Sequence, residues 1–127
     1  MHENEITGAI VDAALRVHRG LGPGLLESVY ETVLAYELAR RGMSVAAQVS
    51  IAIDYDTLHI PAAFRADLVV ESCVLVELKS VKRVTDLHRK QALTYMRLMN
   101  IRVGLVLNFN ELLMRDGIHR IANGAPD

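Results

Sequence analysis

Residues 64–80 read FRADLVVESCVLVELKS, two apolar runs separated by Glu71, Ser72 and Cys73. A three-residue loop is a common hairpin length, and it sets Val70 opposite Val74 and Asp67 opposite Glu77. Side chains alternate between faces along a strand. One face of the predicted hairpin then carries Phe64, Ala66, Leu68, Val70, Val74, Val76 and Leu78 without a polar side-chain atom, and reads as core. The other carries Arg65, Asp67, Val69, Leu75, Glu77 and Lys79, with the apolar pair beside the turn and the four charges at the far end. Directly opposed carboxylates have Cβ atoms about 5 Å apart and repel each other, so they need compensation. Two kinds are open. A cross-strand ladder would neutralise the acids with Arg65 and Lys79, a surface feature worth less than about 1 kcal/mol. A divalent cation held by both carboxylates and the Leu78 carbonyl would do the same, because hard cations such as Mg²⁺ take oxygen ligands and need only one or two carboxylates. Lys79 would then lie where it can orient a water.

Working outward, Ile6, Ile10, Ala13, Ala14 and Val17 have the three-and-four spacing of an amphipathic helix over residues 5–19. Gly20, Gly22, Pro23 and Gly24 break it and start a second helix over 25–41, with Leu26, Val29, Tyr30, Val33 and Leu34 expected inward and Gly42 as its stop. Strand-like runs follow at 45–53, 58–60, 64–70 and 74–80, with turns at Asp54–Thr57 and Glu71–Cys73. A further helix spans 86–99 with Thr85 as N-cap, and 103–109 (VGLVLNF) has the unbroken apolar character of a strand buried on both faces. A short last strand is expected near 117–122. The order helix, helix, strands, helix, strand implies an α/β or α+β sheet with helices packed on it.

The chain of 127 residues is sized for one domain, 1–127, and its 51% hydrophobic and 23% charged residues exclude a disordered or fibrous class. A lone Cys73 cannot form an internal disulfide, which points to a reducing compartment. The acidic opening MHENE is unlike a signal peptide and no apolar run approaches the roughly 18 residues of a bilayer span, so a cytoplasmic protein without membrane contact is expected. The net charge of −1 hides a split: residues 79–102 hold seven basic residues against Asp86 alone, +6, and the remainder carries −7. A segregated basic stretch can meet a polyanion at one place, although charge alone equally describes a solvated helix face.

Three polar residues stand out. Glu27 falls at the edge of the second helix's apolar arc and in its first turn, where a carboxylate favours the helix dipole and caps. Gln91 falls in the arc of Leu87, Ala92, Leu98 and Met99, with Tyr95 one turn on, and a buried amide there would need a specific partner because an unmade bond costs about 1–3 kcal/mol. His18, near the end of the first helix, reads as a satisfied core or cap histidine, and Met96 and Met99 as core filler.

Residues 24–30, GLLESVY, match Gly-x-x-Glu-x-x-Tyr, and the stretch from Ile6 to about Phe109 resembles the GxxExxY protein family of the PD-(D/E)XK nuclease superfamily. Asp67 with Glu77-Leu78-Lys79 ten residues on is similar to that superfamily's Asp and Glu-x-Lys signature, and Gln91 to Tyr95 to its Gln-x-x-x-Tyr helix motif. Ala66 stands where many members have proline. The resemblance implies a restriction-endonuclease-like αβββαβ core with a mixed central sheet flanked by helices. It implies Asp67 and Glu77 as metal ligands beside the Leu78 carbonyl, Glu27 as a third acid, and Lys79 positioning the attacking water. Gln91 and Tyr95 would align their helix with the cleft and the nucleic-acid backbone.

The function expected from these residues is a Mg²⁺- or Mn²⁺-dependent nuclease acting on DNA ahead of RNA, with Lys82, Arg83, Arg89 and Lys90 as phosphate contacts. So short a chain has no separate recognition module, and sequence specificity would need a partner or a homodimer, which no residue pattern establishes. The rivals are a non-catalytic nucleic-acid-binding or assembly domain of the same fold, and a structural domain whose acids form ion pairs.

Overall fold

Ile6, Ile10, Ala13, Ala14 and Val17 form the buried stripe of α1 (Glu3–Leu21), the first element of a computed structural model that describes residues 1–124. His2 caps it, its Nδ1 accepting from the Asn4 amide at 3.1 Å. Then come α2 (Glu27–Arg40), β1 (Val45–Tyr55), β2 (Leu58–Val70), β3 (Val74–Lys79), α3 (Asp86–Met99), β4 (Val103–Asn108), a 3-10 turn (Met114–Gly117) and β5 (Ile118–Ala122). The strands lie in the order β1-β2-β3-β4-β5, antiparallel throughout except for the parallel β3–β4 pair that α3 connects. This is a mixed five-stranded sheet with α1 and α2 on one face and α3 on the other. The expected αβββαβ order is present. No helix among the described residues is long and apolar enough to cross a membrane.

Every residue of β4 is buried, as the unbroken apolar run predicts, and Thr85 caps α3 by accepting from the His88 amide at 3.3 Å. Three expectations need correction. The second helix begins at Glu27 rather than 25, so Leu26 is an N-cap residue left 76% exposed, and Val29 is also exposed. The runs 58–60 and 64–70 form one strand, with a register irregularity opposite Ala52 where Pro61 cannot donate to the ladder. The third concerns the hairpin. Val70 does pair with Val74, but the apolar face is not continuous: Leu68 and Val70 pack with α1 and α2, whereas Ala66 packs with Leu75, Val106 and Met96 beneath α3, and Phe64 stacks on Tyr95. The strand changes face at Asp67.

Its neighbour β1 changes face at the same step. Val45 joins the α1–α2 layer and Val49 the α3 layer, and between them Gln48 adopts φ 52°, a left-handed backbone within a strand. Opposite it, Asp67 is the one position without a ladder partner between Val70↔Val45 and Phe64↔Ile51. A left-handed residue rotates the strand enough to exchange its faces, and period-two alternation has no way of signalling this.

Candidate metal and phosphate site

The β2–β3 ladder ends at Leu68↔Val76, one step before the two acids. Beyond it the strands part, and the carboxylates take over the bonds that backbone carbonyls would have made. The Asp67 amide donates to Glu77 Oε2 at 2.8 Å, and the Leu78 amide donates to Asp67 Oδ2 at 2.9 Å. Each acid is thus held by the other's strand. Amide and carbonyl of one strand residue point to the same edge, so the Leu78 carbonyl faces this gap as its amide does. The carbonyl of Lys79, one residue on, faces β4 and accepts from the Phe109 amide at 3.0 Å.

Burial, and after it the charge of Asp67, push the Glu77 carboxyl from 4.5 up to about 7. Asp67 moves in the same direction for the same chief reason, burial, with Glu27 adding repulsion. Lys79 is half-buried nearby and lowers both, but neither acid forms an ion pair among the described residues. Arg65 is exposed and joins no ion pair among them either, so the cross-strand ladder is not built. Glu37 shows how this protein neutralises a buried acid. Its carboxylate meets Arg40 at 3.1 Å, Arg16 at 3.4 Å and Arg41 at 3.5 Å, and the Arg40 hydrogen bond heads the causes that hold it below the ordinary range.

Glu27 reaches the gap from α2. Buried Tyr30 accepts from the Leu25 amide at 3.0 Å and donates to the Gly22 carbonyl at 2.7 Å, stacked on Phe109 with centroids 4.5 Å apart. This brace folds the Gly22–Leu26 turn so that α2 starts on Glu27, and it gives the Gly-x-x-Glu-x-x-Tyr spacing a structural cause. Gly24, at φ 95°, supplies a backbone that other residues rarely adopt. Glu27 Oε1 accepts from the Ser80 amide at 3.2 Å, while Ser80 Oγ donates to the Leu25 carbonyl at 2.8 Å. Glu27, Ser28, Glu31, Gln48, Asp67 and Leu78 line a cavity of about 290 Å³. Among the described residues no three His, Cys, Asp or Glu side chains converge closely enough to hold an ion, so Glu27 shares the cavity without closing a three-acid cage.

Tyr95 lies against the site. Its ring stacks on Phe64 at 4.0 Å, and burial, then Glu77 and Asp67, raise its hydroxyl. Gln91 is a correction: it is exposed and its side-chain amide hydrogen-bonds nothing among the described residues, and Leu87 and Leu98 are exposed too. The buried stripe of α3 runs instead through Ala92 and Met96, whose sulfur sits over Gly104 of β4. Lys82, Arg83 and Lys90 are exposed, whereas Arg89 is half-buried, bonded to Asp86 and close to His119 of β5, two strands from Glu77 and three from Asp67. Asn108, fully buried, anchors the loop that carries Lys82 and Arg83, accepting from the Val81 amide at 3.1 Å and donating to its carbonyl at 3.0 Å. His18 is a satisfied core histidine, its Nε2 2.8 Å from the Glu111 carbonyl.

A family model described as the PD-(D/E)XK nuclease superfamily matches residues 4–121. The chain belongs to the PD-(D/E)XK nuclease superfamily. No curated protein and no solved structure gives a significant match. Nucleases of this superfamily generally use divalent metal ions. The oxygen donors at the unzipped end of β2 and β3 suit one: two carboxylates without an ion-pair partner among the described residues and a carbonyl edge offer the hard ligands a small dication takes, with waters completing its shell. Two residues that line this cavity escape the sequence reading, Glu31 and Gln48. Glu31 was detectable as the i+4 neighbour of Glu27 on one helix face. Gln48 had no local signal.

Proposed function

We propose that this PD-(D/E)XK domain is a Mg²⁺- or Mn²⁺-dependent nuclease that hydrolyses phosphodiester bonds, with DNA favoured over RNA. The observation that carries the reading is the contrast between Glu37, wrapped in three arginines, and the Asp67–Glu77 pair, which is held in place by backbone amides and makes no ion pair among the described residues, with Lys79 easing its repulsion only from a distance. A fold that keeps two repelling carboxylates in fixed positions leaves their charge for something that arrives later.

Asp67, Glu77 and the Leu78 carbonyl would hold the cation, with Glu27 across the cavity as a further acid. When bound, the ion supplies Lewis acidity and a template for phosphate and nucleophile. Lys79 positions the attacking water and offsets charge that grows on the phosphate oxygens. Lys82 and Arg83, on the loop pinned by Asn108, take the flanking phosphates. Tyr95 and exposed Gln91 face the polymer from α3.

The test is a cleavage panel of single- and double-stranded DNA and RNA with Mn²⁺, alongside melting with and without Mn²⁺. The parent is expected to cut and to melt higher with Mn²⁺. Asp67→Asn should lose both properties. Lys79→Ala should keep the Mn²⁺-induced rise and lose cleavage by about a hundredfold or more. A parent that binds Mn²⁺ and nucleic acid and cuts nothing is the non-catalytic binder. A parent that melts identically with and without Mn²⁺ ends the metal reading.

A further inference from the structure

Among the described non-glycine residues with left-handed backbone, Asp56 lies in the β1–β2 turn, Glu71 and Ser72 in the β2–β3 turn, and Asn100 at the C-cap of α3. These are places where such a conformation ends or reverses the chain. Gln48 differs, since it sits inside β1 with ladder pairs on both sides. Burial does not account for it, because Gln48 is exposed. Its side chain does something definite. Nε2 donates to Glu31 Oε1 at 2.6 Å and reaches Asp67 Oδ1 at 3.5 Å. It therefore spans the cavity wall between α2 and β2 and meets the Asp67 oxygen that the Leu78 amide does not use.

We propose that Gln48 is a positioning residue, whose amide ties Asp67 Oδ1 to the Glu31 side of the cavity so that Asp67 presents a fixed oxygen to a divalent cation. The left-handed backbone is what brings the amide there. By exchanging the faces of β1 at this step, it turns the Gln48 side chain toward Asp67, its unpaired cross-strand neighbour. With Oδ2 held by the Leu78 amide at 2.9 Å and Oδ1 met by the Gln48 amide at a longer 3.5 Å, the carboxylate plane has one short anchor and one long one. A partner of this kind acts through the ligand it orients and typically changes metal affinity by about 10- to 100-fold.

The inference rests on the metal reading above, and its test separates the two. Mn²⁺ affinity is measured at pH 8 by calorimetry on the parent, Gln48→Ala, Gln48→Gly and Asp67→Asn, each also melted in EDTA. Alanine deletes the amide and keeps a side chain in the left-handed conformation, whereas glycine deletes the amide and adopts that conformation freely. Both are expected to bind Mn²⁺ at least about tenfold more weakly than the parent, although glycine melts as high as the parent or higher. Affinity then follows the amide and stability follows the backbone. Parental affinity in Gln48→Gly overturns the positioning role while leaving the metal reading intact. A parent without Mn²⁺ affinity overturns both.

Discussion

Replacing Glu77 with glutamine is expected to stabilise the metal-free protein above neutral pH. In the folded chain the Glu77 carboxyl is raised from 4.5 to about 7, chiefly by burial and then by Asp67. Below pH 4.5 it is protonated in both folded and unfolded states and has no effect. Between 4.5 and 7 the folded state binds more protons than the unfolded one, so stability falls as pH rises, and above 7 the whole penalty is present. At 1.36 kcal/mol per unit the penalty is about 3 kcal/mol. Glutamine keeps an oxygen to accept from the Asp67 amide and carries no charge, so Glu77→Gln should gain up to about 3 kcal/mol, roughly 10 °C in Tm for a domain of this size. The assay is thermal unfolding in EDTA at intervals from pH 4.5 to 8.5. The difference between variant and parent should be near zero at pH 4.5 and rise through pH 7. With Mn²⁺ the order should invert, because the parent gains binding energy that the variant lacks. Equal or lower melting of Glu77→Gln at pH 8.5 in EDTA would refute the argument, since it would mean the charge is already compensated.

Tyr30→Phe keeps the stacking on Phe109 and removes both bonds of the phenol, so it should cost about 1–3 kcal/mol in thermal unfolding and expose the Leu25 amide to hydrogen exchange; retained protection at Leu25 would contradict the bracing role. Lys82→Ala and Arg83→Ala should weaken DNA binding evenly across sequences. In fluorescence anisotropy each should lower the slope of log K against log salt by about one, and an unchanged slope would remove that residue from the phosphate path.

Legibility in the sequence followed how local the cause was. The α1 stripe, the Thr85 cap and the Val70↔Val74 register come from spacing within a few residues, and the chain alone reveals them. Asp67 and Glu77 were legible as neighbours because a three-residue loop fixes what lies opposite. That they replace backbone pairing rather than continue it was not, since the parting of β2 from β3 goes with a rotation in β1, twenty residues earlier. Gln91 was misplaced for a related reason. Its helix offers two candidate stripes, and close approach to Gly104 on a distant strand selects the one through Met96. Leu87 and Leu98 are apolar without being inside.

The parallel pairing of β3 with β4 extends over six consecutive residues, Val74 to Lys79, and β4 is wholly enclosed. Glu77 and Lys79 therefore ride on the part of the sheet expected to open last, while Glu27 stands at the start of a helix that follows a glycine turn. On the nuclease reading proposed above, adjustment to the curvature of an incoming polymer would fall to Glu27 and the Gly22–Leu26 turn, since Asp67 is held to β3 by two short bonds. If the domain is the nuclease proposed above, the anvil is rigid and one jaw gives, so a single scaffold would accept backbones of differing geometry without moving Asp67, Glu77 or Lys79.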